Sequence, residues 1–379
     1  MSEKVMFVDD DASILAALKR RLRKRFEIET VSGGKEGLEL IEKNGPYSVV
    51  VSDFRMPRMN GVEFLSEVRR KAPDTVRMML TGSSDLQAAV RAVNEGNIFR
   101  FLTKPCPVEV LAEAVSSGIQ AYRKTAREQA YHRKTRNYLA QATVVQRGLM
   151  PKDAPRIDGL DIAGKSIFLD ETSGDYYDFF EKGDPAHRRV AVAVGDVSDH
   201  GVPSALLMSS ARGMLRERAC RSDGVGDIVQ GLNRQLARDV DSSHQFMTLF
   251  YCEIDPREPG LRWVSAGHDP ALLYNGREKS FDELGGRGLP LGIFEDSCYE
   301  ESRRRLSSGE CILIATDGIW EARNPGGRMF GKENLRRLMR EHAGEPAADV
   351  VAAVTGALAA FIHPLKIQDD ATLVVVRVE

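Results

Sequence analysis

Residues 49–61 read VVVSDFRMPRMNG. A β-branched run stops at an aspartate, Asp53, and a short turn leads into a helix-period stretch, Gly61–Lys71. Working outward, the same unit recurs. Strand-like runs stand at VMFV (5–8), EIETV (27–31), SVVVS (48–52), VRMML (76–80) and FRFLT (99–103). Helix-period segments such as Ser13–Arg23 and Lys35–Lys43 lie between them. Strict alternation of strand and helix implies βαβ units and a parallel sheet over residues 1–120. In such sheets function gathers beyond the carboxyl ends of the strands.

Four features fall at those ends. Asp9 and Asp10 follow the first strand and Asp53 the third; Thr81 follows the fourth in MMLTGSS, and Lys104 the fifth in FLTKPC. Three carboxylates together repel one another, so a divalent cation is their natural companion, and hard oxygen ligands favour Mg²⁺. A cation-neutralised carboxylate beside a lysine can accept a phosphoryl group, because the developing charge is already matched. The segment resembles a two-component receiver domain, of α/β flavodoxin-like fold with a five-stranded parallel sheet. The resemblance implies Asp53 as phosphoacceptor, a sensor histidine kinase as donor, and Asp9, Asp10, Asp53 and the carbonyl of Arg55 as Mg²⁺ ligands. It implies that Thr81 and Lys104 contact the phosphoryl group. Phe101 would be the switch aromatic, where many receivers have Tyr.

After Pro107, residues up to 149 contain no Pro and only two Gly, and read as one long helix. Tyr131, Thr135, Tyr138, Ala142, Val145 and Leu149 are spaced alternately four and three apart, a short heptad seam. Residues 121–150 are therefore a helical linker, either a solvated spacer or a parallel coiled coil joining two chains as a homodimer. The linker holds seven Lys/Arg and one Glu, whereas the whole chain has 53 Lys/Arg against 55 Asp/Glu. A net charge of −2 disfavours a general nucleic-acid or membrane binder, and the basic run 123–136 is explained by a solvated helix face.

Beyond Pro151 strands come in pairs with turns, and helical segments at 203–219, 225–240, 333–343 and 347–361 are interspersed. This is an α+β pattern of mainly antiparallel strands over 151–379. Four acidic signatures lie beside its strands: SGDYYDFF (173–180), VAVAVGDVSDHG (190–201), LIATDGIWEA (313–322) and QDDATLVVV (368–376). No His or Cys spacing suited to Zn²⁺ accompanies them, so a carboxylate site points to Mg²⁺ or Mn²⁺. Carboxylates converging from distant strands can hold two cations, which acidify and align a water for in-line attack on phosphorus.

Together these motifs resemble the PPM family of metal-dependent Ser/Thr protein phosphatases, in its sporulation and stress-response branch (SpoIIE/RsbU-like). QRGLMP (146–151), VSAGHDPALLY (264–274), GLPLGI (288–293) and GRMFG (327–331) follow the same order. The resemblance implies two antiparallel sheets flanked by helices, with two Mn²⁺ or Mg²⁺ ions. Asp196 would bridge both ions with help from the Val197 carbonyl. Asp175, Asp317 and one of Asp369 and Asp370 would complete the cluster, Asp369 being favoured as the direct ligand. Asp178 either binds water on the metal or packs the turn. His200 either structures its turn, the favoured reading, or aids protonation of the leaving group, and His268 is expected to be a hydrogen-bonded structural residue. Asp199 replaces a usual glycine, and Asp tolerates left-handed backbone better than most residues.

The implied function is a response regulator in which phosphorylation of Asp53 controls a phosphoprotein phosphatase. The branch usually acts on an anti-sigma-factor antagonist in partner switching. The competing reading is a non-catalytic adaptor that uses the same fold to bind a protein. The coupling expected is a change in the linker helix that repositions the segment after Asp196. Five cysteines without paired spacing fit a reducing compartment. The acidic N-terminus lacks an apolar signal core, and the apolar run 350–362 is too short to span a bilayer. The expected location is cytoplasmic.

Overall fold

The structure is a computed structural model, and it describes residues 3–82, 97–183, 188–221, 224–257 and 260–379. The chain divides into two compact units, Met1–Arg136 and Asn137–Glu379.

In the first unit, strands β1 (Lys4–Val8), β2 (Glu27–Val31), β3 (Val49–Asp53), β4 (Val76–Gly82) and β5 (Arg100–Lys104) form one sheet in the order β2-β1-β3-β4-β5. Every pairing in it is parallel. Helices α1 (Ala12–Leu22), α2 (Gly34–Asn44) and α3 (Gly61–Lys71) connect the strands. Their starts are written locally. The Asp11 side chain accepts from Ser13 N–H at 2.8 Å. Asn60 and Glu63 form a reciprocal capping box at α3, with bonds of 3.0 and 3.1 Å. β3 is buried along its whole length, and its side chains feed separate apolar cores on the two faces of the sheet. This is why it reads as an uninterrupted apolar run. Ser83 and Ser84 of the MMLTGSS motif lie outside the described residues.

Helix α4 runs from Val108 to Leu149, as its composition predicts. In the second unit, β6 (Leu160–Ile167), β7 (Tyr176–Lys182), β8 (Arg189–Val197), β9 (Met247–Asp255), β10 (Gly260–Ala266), β11 (Ala271–Asn275), β12 (Ser280–Leu284), β13 (Ser302–Arg305), β14 (Glu310–Ala315) and β15 (Ala371–Val378) make two antiparallel sheets. Their orders are β13-β10-β9-β8-β7 and β12-β11-β14-β15-β6. Along β15, Val374, Val376 and Val378 enter one core with the facing sheet, while Leu373 and Val375 enter another with helices α8 (Lys332–His342) and α9 (Ala347–Ile362). Helices α5 (Val202–Arg221) and α6 (Val225–Val240) cover the first sheet.

Three strands were not legible as such: β6, β12 and β13. All three are sheet edges. An edge strand is solvated along one side and needs less apolar alternation, as SFDEL and SRRR illustrate.

Candidate active sites

The parallel register brings the ends of β3, β4 and β5 level, pairing Asp53 with Leu80, Thr81 with Thr103, and Gly82 with Lys104. Asp53 and Asp9 are almost fully buried, and Asp10 is exposed. The Lys104 ammonium lies 2.6 Å from Asp53 Oδ1 and 2.7 Å from Asp9 Oδ2. Burial disfavours its charge, but the bonds to Asp53 and Asp9 outweigh burial and raise its pKa. The backbone N–H of Arg55 donates to Asp53 Oδ2 at 3.2 Å. Asp9, Asp10 and Asp53 each place an oxygen within 4.8 Å of the others, the one such group of three or more potential ligands among the described residues. This fits a single hard cation, since each ligand atom can sit about 2–2.6 Å from a common centre. Gly61 closes the loop against Asp53: a Cβ there would stand 2.1 Å from the Asp53 carbonyl oxygen. Thr81 is buried with its hydroxyl turned to Gly82 O at 3.3 Å, and Phe101 is half-buried against the core.

In the second unit, Asp175 immediately precedes β7, Asp196 is next to last in β8, Asp317 opens the short helix α7 (Asp317–Trp320), and Asp369 lies just before β15. Asp175 is buried and accepts the Thr316 hydroxyl at 2.8 Å. Burial, followed by the Asp196 charge, raises its pKa well above the ordinary carboxylate value. Burial together with Asp317, Asp369 and Asp370 pushes the Asp196 carboxyl up to about 8. Asp317 and Asp369 are also raised, first by burial. Every charged group that bears on Asp196 is thus another carboxylate. A cavity of about 110 Å³ lies among Asp196, Thr248, His268, Asp269, Asp317 and Trp320.

The two adjacent aspartates differ. Asp370 is buried and spends both oxygens on backbone amides, Leu169 N–H at 2.8 Å and Gly174 N–H at 2.9 Å. Asp369 is exposed and accepts from Asp370 N–H at 2.8 Å. The Val197 carbonyl faces Gly174, where a Cβ would stand 2.9 Å from its oxygen. Asp178 belongs to the packing. It is fully buried, holds Arg216 through two 2.6 Å bonds, and accepts the Tyr176 hydroxyl at 2.9 Å.

Asp199 adopts φ +66°, the left-handed conformation expected of the glycine it replaces. His200 is exposed, with Nδ1 2.9 Å from Asp170 Oδ2. His268 is buried beside the Thr248 hydroxyl at 2.8 Å, and burial pushes its pKa down to about 4, so it is neutral at physiological pH. Sequence inspection missed Thr316 and Thr248. Thr316 directly precedes Asp317 in the TDG motif, whereas Thr248 is placed only by its register opposite Asp196.

The acidic cluster meets the chemical test for divalent cations. Asp175 is buried, Asp196 and Asp317 are half-buried, and the charges bearing on Asp196 are all carboxylates, so cations bound there would reverse the repulsion. It is wider than the Asp9–Asp10–Asp53 group, because no three of its residues bring ligand atoms within 4.8 Å of one another.

Both units resemble known proteins. Residues 5–116 match the response regulator receiver domain, and residues 186–379 match the family described as stage II sporulation protein E. The phosphoserine phosphatase RsbU of Bacillus subtilis is 27% identical over 270 residues, 71% of this chain and 78% of that protein. The hydrogenase transcriptional regulatory protein HoxA of Cupriavidus necator is 37% identical over 124 residues, where the match spans 32% of this chain and 26% of that protein. The solved SiaA-PP2C domain of Pseudomonas aeruginosa covers 66% of this chain and 99% of its own at a TM-score of 0.57 and 23% identity, a likeness of fold. No helix among the described residues is long and apolar enough to cross a membrane. With just over half of its length in that match, the chain belongs to the SpoIIE family, and it carries a response regulator receiver domain ahead of the family's phosphatase fold.

Proposed function

We propose that the chain is a response regulator whose output is a metal-dependent protein serine/threonine phosphatase. A sensor histidine kinase phosphorylates Asp53, with one Mg²⁺ held by Asp9, Asp10, Asp53 and the Arg55 carbonyl. Lys104 then pairs with the phosphoryl oxygens in place of the free carboxylate, and Thr81 and Phe101 relay the change. In the second unit Asp175, Asp196, Asp317, Asp369 and the Val197 carbonyl hold two Mn²⁺ or Mg²⁺ ions. Those ions supply Lewis acidity to the phosphoryl group and lower the pKa of the attacking water.

The chain's own residues do the rest. Asp196 lies where the repulsion converges, so it is the natural bridge between two cations. Thr316 fixes the rotamer of Asp175. Asp370 ties the 169 and 174 amides to the start of β15, which keeps Asp175 and Asp369 in register. A site this acidic repels a phosphate dianion until cations are bound, so substrate and metal binding are coupled. The carrying observation is that Asp175, Asp196, Asp317 and Asp369 come from separate elements, and that the charges bearing on Asp196 are all carboxylates, those of Asp317, Asp369 and Asp370.

The substrate is phosphoserine or phosphothreonine in a protein, by extension from the relative named a phosphoserine phosphatase. An anti-sigma-factor antagonist is the substrate proposed from the family resemblance. Two chains pair through α4, where Tyr131, Tyr138 and Val145 are 70, 58 and 67% exposed at seven-residue intervals. The deciding experiment assays the full chain with Mn²⁺ on a phosphoserine protein and an aryl phosphate, beside Asp196→Asn. Mn²⁺-dependent release of phosphate that Asp196→Asn abolishes is expected. Absence of turnover on either substrate would leave the adaptor as the reading of the fold.

A further inference from the structure

The last turns of α4 grip the segment that leads into Asp175. Gln146 is 4% exposed although it sits near the end of a solvated helix. Its Nε2 donates to the Ser173 carbonyl at 2.6 Å, and the Ser173 N–H donates to its Oε1 at 3.0 Å. One side-chain amide therefore pairs with both backbone groups of one buried residue, as a neighbouring strand would. One turn earlier, the Thr143 hydroxyl donates to the Glu171 carbonyl. The chain of bonds continues into the acidic cluster. Asp175 N–H donates to Ser173 Oγ at 3.0 Å, and Gly174 N–H to Asp370 Oδ2 at 2.9 Å.

We propose that Gln146 is a positioning residue. Its carboxamide holds residues 171–175 so that Asp175 meets the cation site, and it is the point where movement of α4 reaches that site. The inference rests on the reading of the cluster as a metal-dependent phosphatase, and it names the regulatory contact of that same site. It differs from the coupling the sequence suggests, because the hydrogen bonds that carry it run to the segment before Asp175. The physical reason is burial. Ser173 has no exposure, so its N–H and C=O have no water to turn to if the amide is withdrawn. The segment must then shift to find other partners. It has little room to do so, since Gly174 already abuts the Val197 carbonyl. A displacement of about 1 Å in a positioning element can cost about a hundredfold in rate.

The test uses the full-length chain with Gln146→Met, which keeps length and apolar volume, and with Gln146→Glu, which keeps only the acceptor for Ser173 N–H. Gln141→Met, at an exposed position of the same helix, is the control. Hydrogen–deuterium exchange of a peptide covering 171–177 is read with and without Mn²⁺, alongside the Mn²⁺ dependence of p-nitrophenyl phosphate hydrolysis. Gln146→Met is expected to speed exchange of that peptide about tenfold and to raise the half-saturating Mn²⁺ concentration about tenfold, the worth of one hydrogen bond each. Gln146→Glu should fall between, and Gln141→Met should match the wild type. A merely structural role would lower the melting temperature and leave the Mn²⁺ half-saturation where it was. Unchanged exchange at 171–177, or faster exchange with unchanged Mn²⁺ dependence of both protection and turnover, overturns the proposal. If the wild type hydrolyses nothing, yet Gln146→Met still loosens the peptide and weakens its protection by Mn²⁺, Gln146 keeps its role and the phosphatase reading falls.

Discussion

Replacing Asp196 with Asn should stabilise the metal-free phosphatase unit and destabilise the metal-bound one. In the folded chain burial and three neighbouring carboxylates push the Asp196 pKa from 3.8 up to about 8. The folded pKa lies above the unfolded one, so the protein carries no penalty below about pH 4, gains one as pH rises from about 4 to about 8, and keeps it undiminished above that. Between those limits the folded chain keeps a proton that the unfolded chain releases, which costs about 1.4 kcal/mol per pH unit. At about pH 7 the full difference would be about 4 kcal/mol; solvent screening and sharing of the proton within the cluster reduce it to about 2 kcal/mol. Asn cannot ionise and removes this penalty. For a unit of this size that corresponds to a melting temperature about 4–8 °C higher in EDTA. The gain should shrink on acidification and vanish below about pH 4, where the wild-type carboxyl is protonated in both states. Saturating Mn²⁺ should reverse the order, because a ligand at about a hundred times its dissociation constant adds about 2.7 kcal/mol to the chain that binds it. Circular dichroism melts across pH, in EDTA and in Mn²⁺, measure all three effects. A lower melting temperature for Asp196→Asn in EDTA at about pH 8, or a gain that does not shrink on acidification, would refute the view of these carboxylates as a mutually repelling set.

Asp178→Ala should cost about 3–5 kcal/mol, because it strands the Arg216 and Arg212 cations against a buried vacancy. That loss should be the same in EDTA and in Mn²⁺, and an effect confined to Mn²⁺ would return Asp178 to the metal site. Asp53→Asn should abolish labelling by a small phosphoryl donor such as acetyl phosphate, read on phosphate-affinity gels. Lys104→Met should bind beryllofluoride at least about tenfold more weakly, since the cation bonded to Asp53 is lost. Substituting Tyr131, Tyr138 and Val145 together with Ser should convert a dimer to a monomer by light scattering, and a wild-type chain that is already monomeric at micromolar concentration rejects the helix pairing. Thiol titration should find Cys220 and Cys298 fast. Cys311 should react only on unfolding, since burial pushes its thiol up to about 12.

The receiver site could be read from the sequence because a parallel sheet delivers it by local rules. Each strand ends at the same edge, β1 and β3 are neighbours, and the residues that follow them, with those that end β4 and β5, meet without any further specification. The α3 segment Gly61–Lys71 was bounded correctly for the same kind of reason, since its capping box lies within four residues of sequence. The phosphatase carboxylates could be picked out as motifs, because a strand followed or preceded by Asp is a local pattern. Their separate duties could not. Asp175 and Asp178 look alike three residues apart, and Arg216, 38 residues further on, claims only the second.

By itself, then, the sequence determined the two fold classes, most of the elements and the candidate acids, all of which depend on periodicity and on residues close along the chain. Only the tertiary structure decided what each acid touches. Asp370 is taken up by amides 201 and 196 residues away, which leaves Asp369 turned outward. Gln146 finds its partner 27 residues along, in a segment with no helix or strand pattern of its own. A buried polar group must be satisfied by whatever the fold brings beside it. That neighbour is set by sheet order and register, which no local stretch of sequence encodes.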